Sequence, residues 1–289
     1  MPTYPEIVKA VNRILGEYDF PLTIRQIYYR LVAANLIPNK RSAYNQLSKM
    51  LVKARENGEV DDTRIEDRAR TVLEAPNTFT SPEDFADSAK QWFRGLASQY
   101  MRDLWDEQDC FLEVWVEKDA LSRVISHVTN PYRVTTCPSR GYSSYTYIKR
   151  EAVDGRLSDV GKPIIILHFR DHDPSGRDMT RDLESRLHRY APDSEITVEH
   201  VALTYEQVQQ YDLPPGPTKE KAQGRDDYVA EFGDRCWELD AIEPSELQRI
   251  VREAVEQHID FDAWNRTLAE EKAERKVLTE RFQNAKIDV

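Results

Sequence analysis

Cysteine is scarce in this chain. There are three, Cys110, Cys137 and Cys236, with no C-x-x-C spacing. A disulfide framework and a zinc site on paired cysteines are therefore not expected, and the thiols read as reduced. Long apolar runs are missing as well. The longest are a few residues, such as Ile164 to Leu167, against the ~20 that a bilayer-spanning helix requires. The opening residues, MPTYPEIVKA, show no basic segment followed by an apolar one. No secretory leader is predicted, and a cytoplasmic location with no membrane partner is expected. Glycine (10) and proline (15) are too few for collagen or a low-complexity chain. Excess positive charge is absent too: the net charge is −11, which speaks against a general nucleic-acid coat.

What is present is an ordinary globular composition, 40% hydrophobic and 31% charged over 289 residues. At ~150 residues per domain, two domains are expected. The acidic average hides an asymmetry. Residues 21–58 carry Arg25, Arg30, Lys40, Arg41, Lys49, Lys53 and Arg55 against Glu56 alone, a local charge of +6, leaving −17 elsewhere. A basic module on an acidic body can bind phosphate.

Hydrophobic spacing organises the chain. Ile7, Val11, Ile14 and Leu15 predict a helix over residues 3–16. Thr23-Ile24-Arg25-Gln26 reads as a capping box opening a second helix to about Asn35. Tyr44, Leu47, Leu51 and Ala54 mark a third over 41–56, with Asn57-Gly58 as its C-cap. Three short helices, the last one basic, suggest a winged-helix module, with residues 59–72 as the wing. A linker is expected over 73–85 and a helix over 84–106. Beyond it, strands are predicted at 111–116, 164–169 and 196–203, and helices at 119–128 and 177–190. Alternating strands and helices predict an α/β fold with a parallel sheet. From about 244 the chain reads as helical. The expected division is 1–75, 76–108, 109–245 and 246–289: winged helix, linker and helix, α/β metal-binding domain, and C-terminal helices.

Two constellations could carry chemistry. Ile24, Ile27, Tyr28 and Leu31 share one apolar helix face, which makes Tyr28 the core tyrosine. Tyr29 falls away from that face, four residues after Arg25 and on its side. A phenol beside a guanidinium suits a phosphodiester, although a half-exposed tyrosine stacked on arginine gives the same pattern. The second constellation is acidic. Glu117 ends one predicted strand, and Asp171-x-Asp173 follows another. Alternate residues of an extended segment point to one side, and open α/β sheets bind ligands at the carboxyl ends of their strands. Three carboxylates there form a hard-oxygen site suited to Mg²⁺. The alternative is that the aspartates only cap the next helix and Glu117 is a solvated strand end. Gly176 permits a tight turn into that helix. His172 is expected to point away from the acids. Arg140-Gly141-Tyr142 could meet phosphate or be a surface turn. The late charged segment, 262–285, reads as a solvated face that could pair subunits.

Taken together, these motifs resemble a known family. Ile24-Arg25-Gln26-Ile27-Tyr28-Tyr29 is similar to the Arg-x-x-Tyr-Tyr segment of the winged-helix domain in the DNA-cleaving chain of topoisomerase VI and in the related meiotic double-strand-break protein. Val116-Glu117-Lys118-Asp119-Ala120, Arg140-Gly141-Tyr142 and Asp171-x-Asp173-x-x-Gly176 resemble that family's Toprim domain, in the same order. Glu238-Leu239-Asp240-Ala241, with Pro244 and Leu247, resembles its C-terminal region. The resemblance spans about residues 20–250. It implies a winged helix followed by a Toprim domain, with Tyr29 as nucleophile, Arg25 beside it, and Glu117, Asp171 and Asp173 holding Mg²⁺ or Mn²⁺. Lys40, Arg41, Lys49, Lys53 and Arg140 would contact double-stranded DNA. It also implies a homodimer in which Tyr29 of one protomer meets the metal site of the other. The activity implied is that of an ATP-hydrolysing type II-like DNA topoisomerase, or of a related DNA endonuclease using water. This chain is shorter than the usual family member, carries Ser143-Ser144 where the family has Pro-Asp, and has no P-loop. ATP hydrolysis would require a separate ATPase chain. A non-catalytic DNA-binding protein is the third reading.

Overall fold

A computed structural model describes residues 2–66, 78–139, 145–218 and 222–285. The contacts fall into two compact units. One comprises Met1–Arg68 with Cys110–His258, and the other Ala69–Asp109 with Ile259–Val289.

The first unit opens with three helices: α1 (Tyr4–Gly16), α2 (Ile24–Ala33) and α3 (Arg41–Glu56). The expected capping box starts α2. The Gln26 amide donates to Thr23 Oγ1 at 3.1 Å, and the Thr23 amide donates to Gln26 Oε1 at 2.8 Å. Gly58 follows α3 with φ +69°, a left-handed conformation that glycine adopts without a Cβ clash. Ile7, Val11, Ile14, Ile27, Leu31, Leu47 and Leu51 form a buried core among these helices. The expected wing is not seen among the described residues. Asp62–Arg64 form one tight helical turn. Ile65–Glu66 (β2) then pair in parallel with Leu22–Thr23 (β1). Residues 67–72 of the expected wing lie outside the described residues. Three helices are shown; a winged-helix arrangement is not.

The rest of this unit is α/β. Four parallel strands, β3 (Phe111–Val116), β4 (Thr135–Pro138), β5 (Ile164–Phe169) and β6 (Ile196–Ala202), lie in the order β4-β3-β5-β6. β4 escaped the sequence reading because it is short, lies at the sheet edge and ends in proline. The connections are α5 (Asp119–Thr129), a π-helical segment (Tyr147–Leu157) and α6 (Pro174–Tyr190). α7 (Tyr205–Gln210), α8 (Arg225–Phe232) and α9 (Pro244–Glu256) follow. The π-helical segment and α6 cover one sheet face, where Trp115, Ile148, Leu157, Ile164, Leu183 and Leu187 are buried together.

That face also buries a charge. Glu113, fully buried on β3, accepts from Arg156 Nε at 2.6 Å, Arg156 Nη2 at 3.2 Å and Trp115 Nε1 at 2.8 Å. Such a pair gains little over an apolar one, but losing one partner strands the other.

The second unit contains α4 (Pro82–Gly95), shorter than the expected 84–106 helix, and α10 (Phe261–Asn284). Phe93 meets Phe282 at 4.9 Å between ring centroids, and Trp105 meets Trp264 at 5.9 Å. The charged helix α10 is more than a solvated face. Its Glu271 is 3% exposed and accepts the Arg102 amide at 2.8 Å.

Replacing Arg156 by Met should cost about 3–5 kcal/mol in urea unfolding, because Glu113 is left unpaired in the core. Adding Glu113→Gln should recover at least about half of that loss. No recovery in the double variant would contradict the pairing.

Candidate active site

The sheet order creates a switch point. From β3 the chain runs outward to β4, and from β5 it runs the other way to β6, so the crevice between the carboxyl ends of β3 and β5 is the expected ligand position. Glu117 is the first residue after β3, and Asp171 and Asp173 follow β5. The Glu117 amide donates to Phe169 O at 2.8 Å, and the Asp171 amide donates to Glu117 Oε2 at 3.1 Å.

The Asp-x-Asp loop is fixed from behind. Asp173 Oδ1 accepts the Gly176 amide at 2.6 Å and caps α6. A Cβ at Gly176 would lie 2.5 Å from the Asp171 carbonyl oxygen, so no other residue fits without moving the loop. His172 points away from the acids, as expected. Its amide donates to Trp237 O at 2.9 Å, and the Trp237 amide donates back at 3.0 Å. The His172 ring sits among Tyr205, Tyr228, Phe232 and Trp237, and Tyr228 Oη donates to the His172 carbonyl at 2.8 Å.

Pairing His172 with Trp237 brings the next residues over the site. The Leu239 amide donates to Asp171 Oδ1 at 2.8 Å. Lys118 Nζ lies 2.9 Å from Asp171 Oδ1, 2.9 Å from Asp240 Oδ2 and 3.2 Å from Glu238 Oε2. Arg25 closes the network from α2 by pairing with Glu238, while its guanidinium lies 4.8 Å from the Tyr44 ring centroid. Lys118 thus meets three acids, Asp171, Glu238 and Asp240, Arg25 shares one of them, Glu238, and Arg170 is a further cation toward Glu117 and Asp173.

The electrostatics follow from burial and from these neighbours. Burial first, then the Asp171 and Asp173 charges, push Glu117 up to about 7, although the Asp171 amide and Lys118 oppose them. Burial also raises Asp171, to about 6, against the pull of Lys118. Burial works against the Lys118 ammonium, but its three carboxylates outweigh it and hold the amine protonated.

Tyr29 departs from its expectation. The helical period places it away from the buried face and beside Arg25, yet it is 6% exposed, and Tyr28 is 4% exposed. The second face of α2 is covered by Leu239–Ala241, a segment distant in sequence. Arg30 Nη2 donates to the Ala241 carbonyl at 2.9 Å on this side. Burial, then Glu238, raise the Tyr29 phenol far above its ordinary range, and Lys118 and Arg25 offset this only in part. Arg25 engages Glu238 and Tyr44 instead of stacking on Tyr29.

Lys40, Arg41, Lys49 and Lys53 are all exposed, at the start and along the outer face of α3. Arg140, with Gly141 and Tyr142, lies outside the described residues. Sequence reasoning missed Lys118 as a partner of these acids and gave Glu238 and Asp240 no role. The available signal was the alternate-residue spacing of Glu238-x-Asp240, which repeats that of Asp171-x-Asp173.

No family model matches the chain, and no curated protein matches it. Among the described residues, no group of three or more His, Cys, Asp or Glu is gathered so as to hold a metal ion. Carboxylate oxygens are the donors that hard divalent cations take. Glu117, Asp171 and Asp173 offer carboxylate oxygens that repel one another, and Glu117 is raised by burial and then by that repulsion.

Behind the acids lies a polar network. Arg170 Nη1 donates to the Asp171 carbonyl at 3.0 Å, Arg170 Nε donates to Thr180 Oγ1 at 2.8 Å, and His168 Nδ1 lies 3.0 Å from the same hydroxyl. Burial, then Arg170, lower His168 to about 3 and His200 to about 3. The folded protein keeps both neutral, whereas the unfolded chain takes up protons below about pH 6.5. Their contribution to stability is therefore full above that pH and is lost as pH falls toward 3. His168→Gln should reduce the slope of stability against pH between about pH 6.5 and 4.5 by up to about 1.4 kcal/mol per pH unit. An unchanged slope in thermal melts would show that His168 is protonated in the folded state.

Proposed function

We propose that this chain cleaves double-stranded DNA with Tyr29 as the nucleophile, the chemistry of the DNA-cleaving chain of a type IIB topoisomerase. One observation carries the reading: the strand-end acids at the sheet's switch point and the tyrosine-bearing helix α2 meet in a single charged network through Lys118, Glu238 and Arg25. The exposed Lys40, Arg41, Lys49 and Lys53 of α3 supply a surface for backbone phosphates, which fix position without reading sequence.

In this reading the Tyr29 oxygen bonds to a backbone phosphorus as the bond from phosphorus to the 3′ oxygen breaks; the phenol proton passes to solvent, and the 3′ oxygen takes up a proton and leaves as a hydroxyl. The product is a 5′-phosphotyrosyl link, which attack by the 3′ hydroxyl reverses. A phenol with an ordinary pKa of ~10 is already a weak nucleophile at neutral pH, and the burial of Tyr29 raises that barrier. Tyr29 must therefore be uncovered before it acts, and the cations Arg25 and Lys118 stand where they would favour its phenolate. Glu117, Asp171 and Asp173 would hold Mg²⁺ or Mn²⁺, which when bound supplies positive charge beside the reacting phosphate. Resemblance adds a homodimer, in which each Tyr29 would leave the charged network of its own chain to serve the partner's acids, and a separate ATPase chain.

The burial of Tyr29 favours a second reading. With the phenol covered, the same acids would serve a metal-dependent endonuclease in which water attacks phosphorus, and Tyr29 would only pack.

Plasmid cleavage with Mg²⁺ or Mn²⁺, stopped with detergent and run with and without protease, separates the two. Tyr29→Phe should lower cleavage by about 1,000-fold or more while leaving the fold intact. Asp171→Asn should abolish it. Wild-type breaks should carry protein at their 5′ ends. Protein-free breaks that survive Tyr29→Phe would establish the endonuclease. No cleavage by the wild type would reject both enzymatic readings.

A further inference from the structure

Tyr28 and Tyr29 are both buried, but their hydroxyls are treated differently. The Tyr28 hydroxyl donates to Asn39 Oδ1 at 3.0 Å, as a buried phenol ordinarily finds a partner. Tyr29, 6% exposed, forms no hydrogen bond among the described residues. Its hydroxyl adds no bond to the resting fold.

The turn Glu238–Ala241 is tied to α2 on both sides of Tyr29 in sequence. Before it, Arg25 pairs with Glu238, and Thr23 Oγ1 donates to Asp240 Oδ1 at 3.4 Å. After it, Arg30 Nη2 donates to the Ala241 carbonyl at 2.9 Å. Glu238 and Asp240 are among the charges that act on the Tyr29 phenol. Leu239, Asp240 and Ala241 are each 1% exposed, whereas the Arg25 and Glu238 side chains keep 36% and 31% exposure. That ion pair is therefore the tie that solvent reaches.

We infer that the turn Glu238–Ala241 is an autoinhibitory strap, which keeps Tyr29 covered while closed on α2, with the Arg25–Glu238 pair as its catch. Its inhibitory meaning rests on Tyr29 as the nucleophile; the covering itself does not. A pair of part-exposed ions suits a catch, because it is weak and salt weakens it further. On the other side the turn is anchored to the sheet. The His172 and Trp237 amides bond each other's carbonyls, and the Leu239 amide donates to Asp171 Oδ1. The strap can thus lift from α2 while its base stays in place.

The test is nitration of the full chain by tetranitromethane, without DNA and at one fixed pH. Mass spectrometry locates each nitrated tyrosine, and thermal melts check the fold. In the wild type, Tyr29 should react about tenfold more slowly than Tyr145, which is 57% exposed. Glu238→Gln and Arg25→Gln should each raise the Tyr29 rate about tenfold and leave Tyr28 slow. The two variants change the local charge in opposite senses. A charge effect on the phenol alone would raise the rate in Glu238→Gln and lower it in Arg25→Gln. That pattern overturns the inference, as do unchanged rates in both, or Tyr28 rising together with Tyr29. If either variant fails to fold, Arg30→Gln, which frees the Ala241 carbonyl, carries the same expectation and the same contradiction. In the plasmid assay Glu238→Gln should cleave about tenfold faster than the wild type, because the open fraction is larger. A variant with Tyr29 freed that cleaves no faster removes the inhibitory role. If neither chain cleaves, the nucleophile reading fails there, and the nitration rates still decide the covering.

Discussion

Lys118 Nζ gathers carboxylates from widely separated parts of the chain: Asp171 after β5, and Glu238 and Asp240 from the segment paired with His172. Its own backbone follows β3. Through Glu238 it reaches Arg25, and so ties the α/β sheet to the three-helix region. Removing a cation from such a cluster leaves acids repelling one another in a poorly hydrated place. The charge state of the strand-end acids depends on this balance and on their burial.

The architecture behind the cluster makes that balance possible. Parallel pairing and the β4-β3-β5-β6 order put Glu117 and Asp171 on either side of one crevice. Gly176 lets α6 begin close enough for Asp173 to cap it. On the opposite side of the Asp-x-Asp loop, the aromatic residues around His172 hold the backbone still. Arg170 anchors the Asp171 carbonyl from beneath. The site is thus held in place from several directions while its charges are satisfied internally.

Much of this was legible in the sequence where local rules govern. α3, β3 and β5 coincide with their expected bounds because each has a strong period and a clear stop. The outward turn of His172 follows from alternation along an extended segment. Local rules did not reach the burial of Tyr29, because its neighbours Lys118, Glu238 and Asp240 come from segments distant in sequence. The capping role of Asp173 was one of two readings that its position allowed. Lys118 carried no signal of its own, since ion pairs between distant residues leave no periodic trace. The parallel β1–β2 pair in place of a described wing is likewise a tertiary outcome, set by only two residues on each strand.

The central proposal is that the acids at the carboxyl ends of β3 and β5 would hold a divalent cation for phosphodiester chemistry. Crystals of the protein grown with Mn²⁺ and measured at the manganese absorption edge test it directly. An anomalous peak within about 2.5 Å of oxygens from Glu117 and from Asp171 or Asp173 is the predicted result. Manganese elsewhere, or none at this position with the three acids ordered, would contradict the account.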